Sequence, residues 1–529
     1  MNQSYTAFRP QKKKRKARKL LVLLLAVIAI FVIYKVFVPT SAERAANNLI
    51  FDQSVSEAEK SSIQNAIKTQ SKTYKGDIAV SVQTTAEASN TSLVLSAYAP
   101  VTNIYSTKQT VSSKELGQAA IYVPSGTDDK AKIGIASLLK VDSSKLTDLS
   151  KSLEDIPADS VALVPMSQLS PKVKLLSLDD NYYLDSFGKG AIFRQVVFSG
   201  DSSASLADLK LNSHETKDAT LKVNMTGVTA LTREMMKKLN SAKDATYFSQ
   251  KIGAFLADAD ITHVSNEVSF KSGCSYSAAV FCAPPEMIET LKASGVDLVE
   301  LTGNHNNDTG SQYNKESINL YHSLGWHTFG GGLNKEEAAK PYIADQKQSK
   351  VAFLGYNYPD TPNGVAIATS SNAGSNSFDF DKIKADIESA KGLGSFVIVD
   401  VQFWECYAYP GGYVEFPECD YPISGQEEVF RKIADLGADM VIGTQAHQPQ
   451  TWEVYRGKPI YYGLGNMYFE QTQWPGTERG IVLTHYFSRG KLLQTKLSPT
   501  VYDKALQTRL MTNSEATELL ERLDAARPN

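Results

Sequence analysis

The chain's 529 residues exceed what one ordinary core holds, and at about 100–200 residues per domain they are expected to form two or three domains. Lys and Arg number 55 against 57 Asp and Glu, a net charge of -2, so no chain-wide basic field draws nucleic acid, and none is expected as a partner. Hydrophobic content of 42% is that of globular material.

The amino-terminal end departs from that average. RPQKKKRKARK (9–19) leads into LLVLLLAVIAIFVIY (20–34), then Lys35 and VFVP. The charge-free run is short for roughly 30 Å of hydrocarbon, but Lys35 can snorkel and lengthen it to Val38. The pattern predicts a basic cytoplasmic arm over 1–19 and a single-pass transmembrane anchor over 20–38. The main body is then extracytoplasmic, because a dense Lys/Arg flank stays in the cytoplasm. A signal peptide cleaved near TSA (40–42) is the rival reading, and it too exports the body.

Residues 39–75 read as a helical stalk, with apolar positions too sparse for a strong coiled coil. From Gly76 the pattern changes to short β-rich runs (DIAVSVQ, SLVLSAYAPV, AAIYVPS, SVALVPMSQL, KVKLLSLDD) separated by helical stretches such as AKIGIASLLK. This alternation predicts a smaller α/β domain over 76–212, followed by a polar linker, SHETKDAT. A clearer alternation follows over 221–505. LKVNM, ITHVSNEV, VDLVELTGN, KVAFLGYNY, SFVIVDVQF, DMVIGTQAH and PIYYGLGN are apolar runs of strand length, and the helical patterns between them close on glycine. Residues 506–529 carry a capping box, Thr512 with Glu515, and are expected to end the chain as a docked helix.

The four cysteines, Cys274, Cys282, Cys406 and Cys419, fit an exported body. No CxxC pair occurs, which disfavours zinc, and an even count outside the cytoplasm favours disulfides. Of the three connectivities, Cys274–Cys282 with Cys406–Cys419 is expected, because each pair brackets a short loop-like segment. Free buried thiols are the alternative.

Polar residues collect where the second domain's strands end. THVSNE holds His263, Asn266 and Glu267; LTGNHNND holds Asn304, His305 and Asp308; VQFWE holds Gln402 and Glu405; TQAHQPQ holds Gln445, His447 and Gln450; GLGN holds Asn466. In open α/β sheets such groups converge on one crevice. Carboxylate, amide and imidazole donors suit a divalent metal of the zinc or manganese kind, which would polarise a phosphoryl or carbonyl oxygen. His305 is alternatively a general acid or base. FGGGLN is read as a tight turn, since no Lys-Ser/Thr follows to make a phosphate loop. The aromatic residues of WECYAYPGGY fit either sugar stacking or loop packing.

In this order the segments resemble the CapA family of bacterial capsule and poly-γ-glutamate synthesis proteins, whose fold is similar to calcineurin-like metallophosphatases. The resemblance implies an α/β/β/α sandwich. MTGVTALTR (225–233) resembles the family's opening strand–turn–helix, SNE its Asn-Leu-Glu, and GNHNND its Asn-Asn-His-x-x-Asp. DMVIGTQAHQPQ and PIYYGLGNMYF resemble its closing pair. Three departures stand out. Val228 replaces the aspartate of Gly-Asp, Gln402-Phe403-Trp404 replaces His-Trp-Gly with Glu405 one place early, and Gln445-Ala446-His447 replaces His-Pro-His. Carried over, Glu267, Asn304 and His447 are the metal-ligand candidates, for one divalent ion or none. His305, Asp308 and Glu405 form the catalytic set, and His263, Gln402, Gln445, Gln450 and Asn466 are substrate-binding. The resemblance implies a surface protein of envelope-polymer synthesis, acting as a hydrolase or transferase or as a polymer-binding module without turnover. Its partners would be the membrane, the polymer or its precursor, and membrane synthase subunits. SVALVPMSQLSPKVKLLSLDD in the first domain is similar to a binding-protein lobe.

Overall fold

The computed structural model describes residues 41–149, 152–157, 160–211, 216–277, 279–358, 366–406, 422 and 424–528. The expected arm, the membrane span over 20–38, Cys419 and the side chains of Glu405 and Cys406 lie outside the described set, and with them the Cys406–Cys419 pairing. Among the described residues no helix is long and apolar enough to cross a membrane. They divide into two compact units, one drawn from 41–97, 128–138 and 192–211, the other from 98–127, 139–191 and 216–528.

In the first unit, IAVSVQTT forms the strand Ile78–Thr85, its Ile78, Val80 and Val82 buried and the residues between them turned outward, as a period of two requires. It pairs antiparallel with Ile192–Ser199 and parallel with Leu49–Phe51. Helix Glu57–Thr69 starts on a capping box in which Ser56 and Glu59 satisfy each other's backbone N–H groups. Its Ile63, Ala66 and Ile67 join Ala45, Leu49 and Val80 in one apolar cluster. The expected stalk is therefore corrected: residues 41–69 are part of a folded unit. Few apolar residues suffice because i, i+3 and i+4 fall on one helix face. Arg194, 2% exposed, spans this unit, donating to both oxygens of Glu59 (2.7 and 2.8 Å) and to the carbonyls of Ser54 and Lys130 (3.0 Å each).

Residues 98–191, apart from 128–138, belong with the second unit rather than with a separate domain over 76–212. Side-chain bonds distant in sequence explain this. The Gln494 amide donates to the carbonyls of Ser170 (2.6 Å) and Val173 (2.9 Å) and accepts the Leu175 N–H (2.9 Å). Asp185 accepts from Lys222 (2.7 Å), Tyr486 (2.7 Å) and Lys496 (3.1 Å).

The rest of the second unit is built on two sheets. In the first, Thr220–Thr229 pairs parallel with Ile261–Asn266, followed by Leu298–Glu300 and His327–Phe329, and antiparallel with Arg479–Ser488 on its other side. In the second, Ser349–Asn357, Phe396–Cys406, Met440–Ala446 and Lys458–Tyr461 run parallel. VAFLG and FVIVDV read as unbroken apolar runs because both faces are covered. Met225, Leu298, Phe353, Ile398 and Ile442 fill one cluster, which also takes Leu519 and Leu523 of the carboxyl-terminal helix Asn513–Ala525. Helices contribute Met235, Leu256, Leu291 and Ile318 to a second cluster with Val264 and Val299, and Ile383, Ile387, Phe430 and Ile433 to a third with Val399 and Val441. The fold is mixed α/β, with helices packed on both sheets.

Candidate functional site

Glu267 follows Ile261–Asn266, and its N–H donates to the Thr229 carbonyl at 2.9 Å. The loop after Leu298–Glu300 lies directly on it: a Cβ at Gly303 would stand 2.7 Å from the Glu267 Cα, so only glycine lets the chain pass there. Asn304 and His305 come next. The Nδ1 of His305 meets Asp308 Oδ2 at 2.8 Å, and the same oxygen accepts the Phe281 N–H at 2.8 Å. The Phe281 ring lies 4.5 Å from the His305 ring. Beside Phe281 is Cys282, bonded to Cys274 with Cα atoms 5.9 Å apart, as the sequence pairing predicted.

His447 follows Met440–Ala446 and is 1% exposed. Its Nδ1 lies 2.9 Å from Asn466 Oδ1. The Asn466 amide nitrogen donates to Gln471 Oε1 (3.1 Å) and the Thr477 carbonyl (3.0 Å), which fixes the amide so that Oδ1 accepts Nδ1–H. The lone pair of His447 is therefore on Nε2. Burial pushes its pKa down to about 3, with the nearby charges of His305 and Arg233 pushing the same way and the Asn466 bond opposing, so His447 is neutral at pH 7.

Sequence reading passed over Arg233. It is 6% exposed, it takes φ 49°, and its guanidinium lies over the rings of Phe281 (5.2 Å) and Phe469 (4.6 Å). It closes the motif MTGVTALTR, and a charged residue ending a buried strand–turn was the available signal.

Glu267, Asn304, His305, Asp308 and His447 thus stand on the segments that follow strand ends, and Asn466 opens the short strand Asn466–Tyr468 beside His447. Gln402 and Gln445 are held differently: Gln402 Nε2 donates to Gln445 Oε1 (2.8 Å), and Asn357 Nδ2 donates to Gln402 Oε1 (3.1 Å) and the Thr302 carbonyl (2.7 Å). Gln450 exchanges amide bonds with Gln426 (3.2 and 3.3 Å). Asn266 donates to the Val268 carbonyl and to the Tyr321 hydroxyl, a structural role. His263 is corrected from a substrate-binding position to a core one. It sits mid-strand beside Leu298, 1% exposed, with Nε2 3.5 Å from Asp400 Oδ2. Burial lowers its pKa to about 3 and, with the nearby Glu300, raises that of Asp400 well above the carboxylate range.

Against known families, the profile described as bacterial capsule synthesis protein PGA_cap matches residues 222–471, the span that carries every loop above. Residues 222–471 form a PGA_cap domain. The capsule biosynthesis protein CapA of Bacillus anthracis is 27% identical over 208 residues, 39% of this chain and 47% of that protein. The PGA biosynthesis protein CapA of Bacillus subtilis is 23% identical over 214 residues, 40% and 53% of the respective chains. A probable polyglutamine synthesis accessory protein of Mycobacterium tuberculosis is 32% identical over 87 residues, 16% of this chain and 20% of that one. The chain spans about half the length of the two CapA proteins.

Glu267, Asn304 and His447 are of the donor types that a divalent ion takes. Asn304 Oδ1 is buried without a hydrogen-bond donor, an acceptor that a cation would satisfy. With the Glu267 carboxylate and neutral His447, it makes one anionic and two neutral donors, a set within the range of zinc or manganese. Among the described residues no group of three or more His, Cys, Asp or Glu could hold a metal, so a site on Glu267 and His447 would need the Asn304 amide as its third donor. Val228, where the family has aspartate, packs into the apolar cluster with Val264 and Met467.

Proposed function

We propose that this chain is an exported, membrane-anchored protein of envelope-polymer assembly, acting on a capsule or poly-γ-glutamate type polymer beside membrane synthase subunits. Its PGA_cap domain hydrolyses or transfers an amide or phosphoryl bond. The observation that carries the reading is the His305–Asp308 pair, 2.8 Å apart, on the loop adjoining Glu267 and within electrostatic reach of His447.

Asp308 accepts Nδ1–H and holds the ring, so neutral His305 offers Nε2 to take a proton from the attacking group. Protonated, the same atom returns it to the leaving nitrogen or oxygen. One divalent ion held by Glu267, Asn304 and His447 would polarise the oxygen under attack. His447 needs no deprotonation to serve as ligand, because burial already keeps it neutral.

The test is metal content of the purified chain for wild type, Glu267→Ala and His447→Ala, with hydrolysis of poly-γ-glutamate and of a phosphodiester. Stoichiometric metal and turnover, both lost in the variants, support the enzyme. A second reading, polymer binding without turnover, is favoured by Gln402 and Gln445, neutral amides that bond to each other at 2.8 Å. Binding with neither metal nor turnover would establish it.

A further inference from the structure

Arg233 is a buried cation that makes no ion pair with a carboxylate among the described residues. Only its Nη2 is bonded, to the Glu470 carbonyl at 2.5 Å, while Nε is buried with no acceptor. Guanidinium stays charged at any physiological pH, and a buried charge without a counter-charge is costly, so the site is incomplete as it stands. The Phe281 and Phe469 rings, 6.3 Å apart and T-shaped to each other, both flank the guanidinium, and neither supplies a hydrogen-bond acceptor.

Those two rings also locate the missing group. Phe281 is the ring against His305 (4.5 Å), and Phe469 is the ring against His447 (5.1 Å). Arg233 is thus one aromatic ring from each histidine. An anion on its free edge would lie beside the proposed reacting centre.

We propose that Arg233 is the anion receptor of this site, binding one oxyanion group of the ligand along its Nε edge. The ligand class is a polyanion with a planar carboxylate beside the bond acted on, as in a polyglutamyl chain, since the fork of guanidinium donors matches carboxylate geometry. The inference deepens the proposed function and rests on it for the ligand's class, but not for catalysis. The strained φ of 49° at Arg233 accords with a side chain held for a purpose.

The experiment uses the full chain, stripped of metal with chelator and again with zinc or manganese added. Affinities are measured for a poly-γ-glutamate oligomer, its side-chain-amidated counterpart and inorganic phosphate, in wild type, Arg233→Gln and Arg233→Lys. Arg233→Gln is expected to weaken oligomer binding at least tenfold in both metal states, with Arg233→Lys intermediate and the amidated oligomer weak in all three. The melting temperature of Arg233→Gln should match or exceed wild type, because an unpaired buried charge is gone. Phosphate binding as tightly as the oligomer's carboxylates would overturn the carboxylate assignment. Unchanged oligomer affinity in Arg233→Gln, or a variant that melts lower yet binds normally, would overturn the receptor itself. Arg233-dependent binding without turnover would leave this inference standing while the catalytic reading fell.

Discussion

Asp308 grips His305 through Nδ1 at 2.8 Å and is itself gripped by the Phe281 N–H at 2.8 Å, so one carboxylate oxygen ties the imidazole to a segment closed by a disulfide. His305→Ala is expected to lower kcat by about 10²–10⁴, the usual contribution of a positioned acid or base. Asp308→Asn keeps the shape but can donate to Nδ1, which favours the wrong tautomer, and a comparable loss is expected. Polymer binding should survive both substitutions. Steady-state kinetics with equilibrium binding check this, and an unchanged kcat in either variant would remove His305 from the mechanism.

The Cys274–Cys282 bridge closes a loop of sequence separation 8 and ends one residue from Phe281. In the chain-entropy account, closing so short a loop contributes about 2–3 kcal/mol. Cys274→Ser with Cys282→Ser is therefore expected to lower stability by that amount and to release Phe281 from both Asp308 and Arg233. The sign of the second effect is a loss of turnover exceeding any loss of stability near room temperature. Activity of the double variant below its melting transition decides it: wild-type rates there would show that the bridge is remote from the chemistry.

Much of this site was legible because parallel strands deliver their trailing polar residues to one end, and Glu267, Asn304, His305 and His447 all follow apolar runs. The Cys274–Cys282 pairing and the Thr512–Glu515 capping box were local, and both are present. What escaped was non-local. His263 has the look of a strand-end ligand, but its register against Leu298 puts it mid-strand in the core. Residues 39–75 read as a helical stalk with sparse apolar positions, and only the pairing of Leu49–Phe51 with Ile78–Thr85 and the Arg194–Glu59 contact reveal the unit they complete. Arg233 ends MTGVTALTR, yet that no described carboxylate makes an ion pair with it is a three-dimensional fact.

Glu59 serves twice in the first unit, as capping-box partner of Ser56 and as counter-charge of buried Arg194. Glu59→Ala would strand the guanidinium, and breaking a buried pair from one side costs about 3–5 kcal/mol. Arg194→Met with Glu59→Gln should recover part of that loss, since the charge is removed with its partner. Amide hydrogen exchange over 57–85 and 192–199, compared between the variants, reads the effect within this unit. A loss under about 0.5 kcal/mol for Glu59→Ala would mean Arg194 is satisfied by the Ser54 and Lys130 carbonyls alone.

Asp400 and His263 face each other inside the second unit, Nε2 to Oδ2 at 3.5 Å, and burial favours the neutral form of each. For His263 the folded pKa is depressed, to about 3, so its contribution is present above the unfolded value of about 6.5 and is lost as pH falls. For Asp400 the folded pKa is raised, so its contribution is complete below the unfolded value of about 4 and declines as pH climbs towards the folded one. At pH 8 the acid is therefore the destabilising member. Asp400→Asn mimics the protonated acid without that penalty and is expected to raise Tm at pH 8 by about 1 °C for each kcal/mol gained, the shift for a unit of roughly 400 residues at about 2.1 cal/mol/K per residue. Near pH 4 the advantage should shrink towards zero. Thermal unfolding of both proteins at the two pH values tests it, and a lower Tm for Asp400→Asn at pH 8 would mean that His263 and Asp400 are a buried ion pair instead.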